Sequence, residues 1–164
     1  MKIKPYLDRL ASSKEFKSFT RKNPNAYFSA GFFVIDLESG KNVHQIDYFI
    51  PETKKMMTFI LDSKDIESKL SDMSNDNIPD IITEKINIDL DTLKGIVEDE
   101  MKNNMVTKKI QKIIAILHKL DGKLVWNLNC ITTDMSIIKI HIADEDHSIL
   151  KFDKINIFDV VKKL

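Results

Sequence analysis

The sequence predicts an α+β fold made of two units, each a helix followed by a three-stranded antiparallel meander. Three observations carry this prediction: segments with period-two alternation, amphipathic segments with three- and four-residue spacing ahead of them, and turn signals between the strands. The units cover residues 1–61 and 90–164, and an acidic helical connector spans residues 62–89. The alternative is one compact domain, whose strands form a continuous sheet with the helices packed on one face.

Composition narrows the function classes. The 164 residues are 43% hydrophobic and 30% charged, as is typical of globular proteins, and 25 acidic residues balance 25 basic ones. No global charge therefore indicates nucleic acid or membrane as a partner. Only Arg9 and Arg21 are arginines, which argues against bidentate recognition of phosphate. A single cysteine, Cys130, excludes an internal disulfide and a cysteine-based zinc site.

Targeting signals are the next test of class. The first sixteen residues contain no apolar core of signal-peptide length, and no later run approaches a membrane span. The expected location is therefore cytoplasmic, without a membrane partner.

The N-terminal unit opens with a helix predicted over residues 5–22 and broken near Ser12. Ser12 and Glu15 have the spacing of a capping box, and Pro24 ends the helix. Strands are predicted at residues 27–37, 43–50 and 56–61, with Gly40 in the first turn.

The connector begins a strongly acidic part of the chain. Residues 62–100 contain twelve acidic and four basic side chains, residues 63–71 predict a short helix, and Pro79 predicts a helix start or turn. The simplest interpretation is a solvated connector, and the alternative is an acidic surface for a basic partner.

The C-terminal unit begins with a long helical region predicted over residues 90–120. Asn103-Asn104 predicts a break, Thr107 a cap for the second helix, and Asp121-Gly122 its end. Strands are predicted at residues 124–130, 137–142 and 147–152, with Trp126 as the core anchor of the sheet, and a closing helix at residues 156–163.

The similar order of the two units suggests an internal repeat. A shift of 92 residues pairs Phe32 with Leu124 and Ile46 with Ile138 without a gap. Identities in this window are near chance, so a true repeat and the shared alternation of two meanders both stay open.

The segment order helix, DGKLVWNL, strand, IIKIHIADEDHSIL resembles the PepSY-like family of the cystatin-like superfold. Asp121-Gly122-Lys123 and Trp126 match its first element, whereas the turn Asp144-Glu145-Asp146 lacks the glycine often found in the second. The resemblance covers residues 90–152 and, more faintly, 5–61. It implies a helix packed across a meander and a non-catalytic binding or inhibitory role, often at the cell surface. The export signal that a surface role needs is not visible here.

One turn concentrates possible metal ligands: His141, Asp144, Asp146 and His147. Imidazole and carboxylate groups could hold zinc or another divalent ion. The simpler interpretation is a polar turn, since acidic residues favour turns, and we predict no metal site. Cys130 shares a face with Trp126, which favours a small buried hydrophobe over a nucleophile.

No familiar catalytic motif is present: there is no phosphate-binding glycine loop, GxSxG, HExxH or paired-cysteine motif. We therefore predict no catalytic residues and no cofactor, and a non-catalytic protein-interaction or regulatory module that binds a protein partner or itself. The alternative is a small-ligand-binding protein, or an unrecognised enzyme, that uses the concave face of a cystatin-like sheet through His141 with Asn127 or Asn129. Seven basic and two acidic side chains in residues 2–22 suggest internal pairing with the connector, with nucleic acid a less favoured partner.

Overall fold

The fold is a single antiparallel sheet of eight strands with three helices, in a computed structural model that describes residues 2–73 and 76–156. The sheet order is β4-β3-β2-β1-β5-β6-β7-β8. The predicted α+β class is confirmed, and the strands form one continuous sheet.

The elements have the following bounds along the chain. The helices are α1 (Lys4–Ser12), α2 (Lys14–Lys22) and α3 (Leu90–Asn103). The strands are β1 (Tyr27–Asp36), β2 (Val43–Ile50), β3 (Lys55–Ile60), β4 (Glu67–Asp72), β5 (Ile110–Leu120), β6 (Lys123–Thr132), β7 (Ser136–Ala143) and β8 (Ile149–Asn156).

The predicted break in the N-terminal helix is present, but its cap is one residue later than predicted. Ser13 is extended, and its hydroxyl accepts a hydrogen bond from the Phe16 N–H at 3.2 Å, which starts α2. The Ser12 hydroxyl instead donates to the Asp8 carbonyl within α1. Ser12 is thus the last residue of α1, and Ser13 is the cap.

The prediction of a short helix at residues 63–71 is wrong. Residues Glu67–Asp72 form β4, which pairs antiparallel with β3 at the edge of the sheet. All six residues are exposed, so no apolar stripe could have held a helix against the core. Backbone pairing with a neighbouring strand decides the conformation here, and the local sequence does not reveal it.

The second half of the predicted helical region is also wrong. α3 ends at Asn103, as the asparagine pair indicates, but residues Ile110–Leu120 form β5 in place of a helix capped by Thr107. The segment contains four isoleucines, whose branched side chains favour strands. β5 pairs with β1 on one side and β6 on the other, so Asp121-Gly122 forms a strand-to-strand turn.

The predicted closing helix at residues 156–163 falls mostly outside the described residues. Asn156 itself is the last residue of β8.

The hydrophobic core lies on the side of the sheet that faces the helices. Phe16 and Phe19 of α2 pack against Tyr48 and Phe59, and Trp126 is fully buried in the same cluster. The core role predicted for Trp126 is confirmed. We call the opposite side of the sheet the open face, because no described helix packs against it.

The 92-residue shift does not match the sheet order. It places the residues of β1 on β6. In the sheet, β1 is the first strand of its meander and β5 is the first strand of the other, so a shift that matched the sheet order would place β1 on β5. Each half of the sheet is a meander of four strands, β1 to β4 and β5 to β8, where three were predicted.

Candidate functional site

Asp144 is a buried carboxylate that fastens the connector to the C-terminal half of the sheet. Its side chain accepts hydrogen bonds from the Asn87 N–H at 2.8 Å, the Ile88 N–H at 3.0 Å and the indole N–H of Trp126 at 2.9 Å. The residue is only 1% exposed. Three donors satisfy the oxygens of this carboxylate, so its evident role is structural.

Asp62 has a comparable position in the N-terminal half. It accepts a hydrogen bond from the His44 N–H at 2.6 Å, and its Oδ1 lies 2.7 Å from His44 Nδ1. The ring of Tyr6 stacks on the His44 imidazole with centroids 3.8 Å apart. His44 is 1% exposed, and its Nε2 has no hydrogen-bond partner among the described residues.

The basic N-terminal helix contacts the start of the connector through Arg9. Its guanidinium donates to the carbonyls of Leu61, Ser63 and Lys64. The Ile3 N–H also donates to the Asp89 carboxylate at 3.4 Å, so the contacts between these two segments include one acidic side chain of the connector.

The four residues of the polar turn do not converge as metal ligands. His141 lies on the open face, because it pairs with Asn127, whereas Asp144 bonds Trp126 on the opposite side of the sheet. Asp146 accepts hydrogen bonds from Ser148, and His147 is an exposed turn residue with φ of 62°. In the part of the chain that the structure describes, no three His, Cys, Asp or Glu side chains form a group that could hold a metal ion.

Cys130 is fully buried on the helix side of β6. Burial raises the pKa of its thiol to about 12, so the thiol is protonated at neutral pH. A protonated thiol is a poor nucleophile, and its observed environment is that of a small core residue.

The open face is unusually apolar at its centre. In β1 and β5 the side chains on this face include Phe32, Val34, Ile114 and Ile116, which pair across the two strands and are half-buried. Their neighbours along the strands fill the core on the other side, so β1 and β5 are apolar on both faces. Strands of this kind are normally covered on both faces, whereas a solvated face alternates with polar residues.

A polar cluster lies beside this apolar centre. The Asn127 side-chain amide is 2.9 Å from His118 Nε2, and Asn127 pairs with His141 across β6 and β7. Burial, followed by the charge of Lys151 and the proximity of His118, lowers the pKa of His141. Asn127 Oδ1 is buried without a hydrogen-bond partner among the described residues. His141 and Asn127 are therefore neighbours on the open face.

Two members of these groups were missed by the sequence analysis. His118 was not recognised because its segment was predicted as helix, although strand alternation with Ile114 and Ile116 would have placed it on their face. His44 carried no local signal, since its partner Asp62 lies 18 residues away.

Comparison with known proteins yields only a fold. No family model and no curated protein matches the chain. A solved structure that does match is the crystal structure of a putative lipoprotein from Clostridium difficile, with a TM-score of 0.56 and 12% sequence identity over 85% of this chain and 90% of that one. Within the described residues, no helix has the length and apolar character needed to cross a membrane. The chain thus shares its fold with this protein.

Proposed function

We propose that the protein is a non-catalytic protein-interaction module whose binding surface is the open face of the sheet. The observation that supports it is the apolar centre formed by Phe32, Val34, Ile114 and Ile116. Leaving this surface in water costs free energy that a partner would recover on binding. The carboxylates of Asp62 and Asp144 are engaged in structural contacts and the thiol of Cys130 is buried, which supports the non-catalytic part of the proposal.

The partner we propose first is a second copy of the chain. On the open face of β1 to β3 the ionisable side chains are Asp36 and Asp47. On β5 to β7 they are basic: Lys112, His118, Lys123, Lys139 and His141. Lys112 is 3.7 Å from Asp36 of the same chain. A twofold axis parallel to the strands would set the acidic half of one copy against the basic half of the other.

Sedimentation equilibrium over a range of protein concentrations tests this proposal. The wild-type chain should dimerise, and Phe32→Lys with Ile116→Lys should leave it monomeric, because two ammonium groups cannot be buried unpaired. The matched control is Leu70→Lys, which places a lysine at an exposed apolar position of β4 outside the apolar centre. A wild-type chain that stays monomeric throughout would refute the second copy as partner.

We also propose that the two halves are copies of one unit related by 82 residues. This is the separation along the sequence between His44 and Trp126 and between Asp62 and Asp144. The same shift overlays each strand of the first meander on one of the second, β1 on β5 through β4 on β8, without a gap. It also pairs Gly40 with Gly122, which have φ of 71° and 78°.

On the basis of this repeat, we also propose that each half resembles the PepSY-like family. Both halves run from helix to antiparallel meander, and a Gly-Lys pair lies just before β2 and at the start of β6. The element before Asp121-Gly122-Lys123 is a strand, which departs from the expected helix. The cytoplasmic location also stays a prediction, and fractionation of cells that express the native chain tests it.

A second candidate function is the binding of a small ligand at the polar cluster. It is favoured by Asn127 Oδ1, a buried acceptor that needs a donor. Titration with methylamine, acetamide and urea, followed through the imidazole NMR signals of His118 and His141, tests it. Saturable shifts that Asn127→Ala removes would support a ligand site, and unchanged spectra would reject it.

A further inference from the structure

A groove of about 730 Å³ lies between the C-terminal half of α3, the loop after it and the start of β5. Its apolar wall combines side chains from these elements and from the end of β1: Leu37, Met101, Met105, Val106 and Ile110. The volume falls in the range of about 300–1,000 Å³ that small-molecule sites occupy. No lining side chain is aromatic, and the two methionines have flexible thioethers that adapt to a flexible ligand.

The end of α3 places Met105 at the groove. The Val106 N–H donates to the Met101 carbonyl at 2.8 Å, and the Met105 N–H donates to the Lys102 carbonyl at 3.0 Å. These bonds form a Schellman motif, whose left-handed residue is usually glycine. Met105 instead takes a φ of 57° and is 90% exposed. A left-handed backbone thus presents an apolar side chain to solvent beside the groove, where a bound ligand would cover it.

The rim of the groove is basic. Its charged residues are four lysines and one glutamate: Lys94, Lys102, Lys108, Lys109 and Glu98. Lys94 lies 3.8 Å from Glu98, and Lys108 pairs with Asp134. In residues 2–73 and 76–156, no salt bridge includes Lys102 or Lys109, and both are exposed. These two ammonium groups are therefore free to meet an anion.

From this combination we propose that the groove binds a long-chain carboxylate, taken up as a monomer. The unbranched chain lies against Met101, Met105 and Val106, and the carboxylate meets Lys102 and Lys109. Lysine suits this role, because its compact charge pairs with an anion without requiring the planar geometry that arginine matches. The site is separate from the open face, since α3 and its following loop form most of its wall.

Displacement of 11-(dansylamino)undecanoic acid by dodecanoate, below the micelle concentration, tests the proposal. We expect saturable binding with one ligand per chain, and dodecylammonium should bind about tenfold more weakly because its charge is repelled. Absence of saturable binding, or equal binding of the two amphiphiles, would overturn the proposal. So would binding to phosphatidylglycerol vesicles without binding of monomeric dodecanoate, which would indicate a membrane surface.

Two pairs of variants locate the site. Lys102→Glu with Lys109→Glu should weaken dodecanoate binding about tenfold, whereas Lys139→Glu with Lys151→Glu, the same charge change on the open face, should not. Met105→Gly should also weaken binding, although glycine suits the backbone there.

Its matched control is Met135→Gly, an exposed methionine with φ of 69° that does not line the groove. Equal losses in a test variant and its control would overturn the assignment of the site to the groove. Circular dichroism confirms that each variant is folded.

Discussion

Each half of the sheet contains a carboxylate that contacts a ring nitrogen of a buried side chain, but the two carboxylates differ in how many donors they meet. Asp144 is 1% exposed and takes three N–H donors, including the single N–H of Trp126. The Asp62 side chain is 29% exposed and contacts only His44, whose second ring nitrogen has no described partner. The Asp144 carboxylate is thus shielded from solvent and fully hydrogen-bonded, whereas the Asp62 carboxylate is partly exposed to solvent.

These two contacts differ in the polar atoms that remain on the ring that meets the carboxylate. A Trp–Asp pair has no remaining polar atom on its ring, so it can only hold the fold. A His–Asp pair keeps a second ring nitrogen, and in His44 this atom has no hydrogen-bond partner among the described residues. The polar atoms of the His44–Asp62 contact are therefore less completely hydrogen-bonded than those of the Trp126–Asp144 contact.

The largest effect should come from Asp144→Ala. Removal of this carboxylate leaves three N–H groups without an acceptor, two of them buried, which should lower the free energy of unfolding by about 3 kcal/mol. Urea unfolding followed by the fluorescence of Trp126 measures it. Asp144→Asn keeps one acceptor oxygen and should cost less, and a loss below about 1 kcal/mol in the alanine variant would contradict the structural role.

Asp62→Ala should have a smaller effect, about 1–2 kcal/mol by the same measurement. Water can replace the carboxylate on its exposed side, although the His44 N–H and Nδ1 lose their partner. A loss of unfolding free energy as large as that of Asp144→Ala would show that the two carboxylates contribute equally to stability, which would contradict the difference between them.

Gly40→Ala and Gly122→Ala test whether the halves are copies. Each glycine has a positive φ, and an added Cβ would meet no atom within 4 Å, so the cost is that of the backbone alone. We expect about 1 kcal/mol at both positions. Gly95→Ala is the control, because helical Gly95 also has open space and should gain about 0.5–1 kcal/mol. Clearly unequal costs at Gly40 and Gly122 would argue against equivalent turns.

The smallest effect concerns pH and the open face. The pKa of His141 is lowered in the folded chain, first by burial and then by Lys151 and His118, so the unfolded chain binds the proton more readily. Stability should therefore fall as pH drops below about 6.5, the ordinary pKa of histidine. His141→Gln should flatten this dependence in urea unfolding at a series of pH values. An unchanged slope would show that His141 is not desolvated.

Prediction from sequence succeeded where local and tertiary preferences agree. Trp126 was predicted as a core residue, as the structure shows, and the alternation of β2 puts His44 and Ile46 on one face, which is the buried one. It failed at β4, which is wholly exposed, and at β5, whose isoleucines also fit a helical stripe. Both segments become strands through backbone hydrogen bonds with another strand: β4 with the preceding β3, and β5 with β1 of the other half of the sheet.

The sequence by itself determined the α+β class, the helix break near Ser12, most strand positions and the burial of Trp126. These follow from period, capping and turn residues, which act within a few positions along the chain. Only the tertiary structure decided the central β1–β5 pairing, and with it the eight-stranded sheet and the apolar open face. It also decided the partners of Asp62 and Asp144, because those contacts join residues 18 to 57 positions apart. Contacts over such distances depend on how the elements pack, which local preference does not specify.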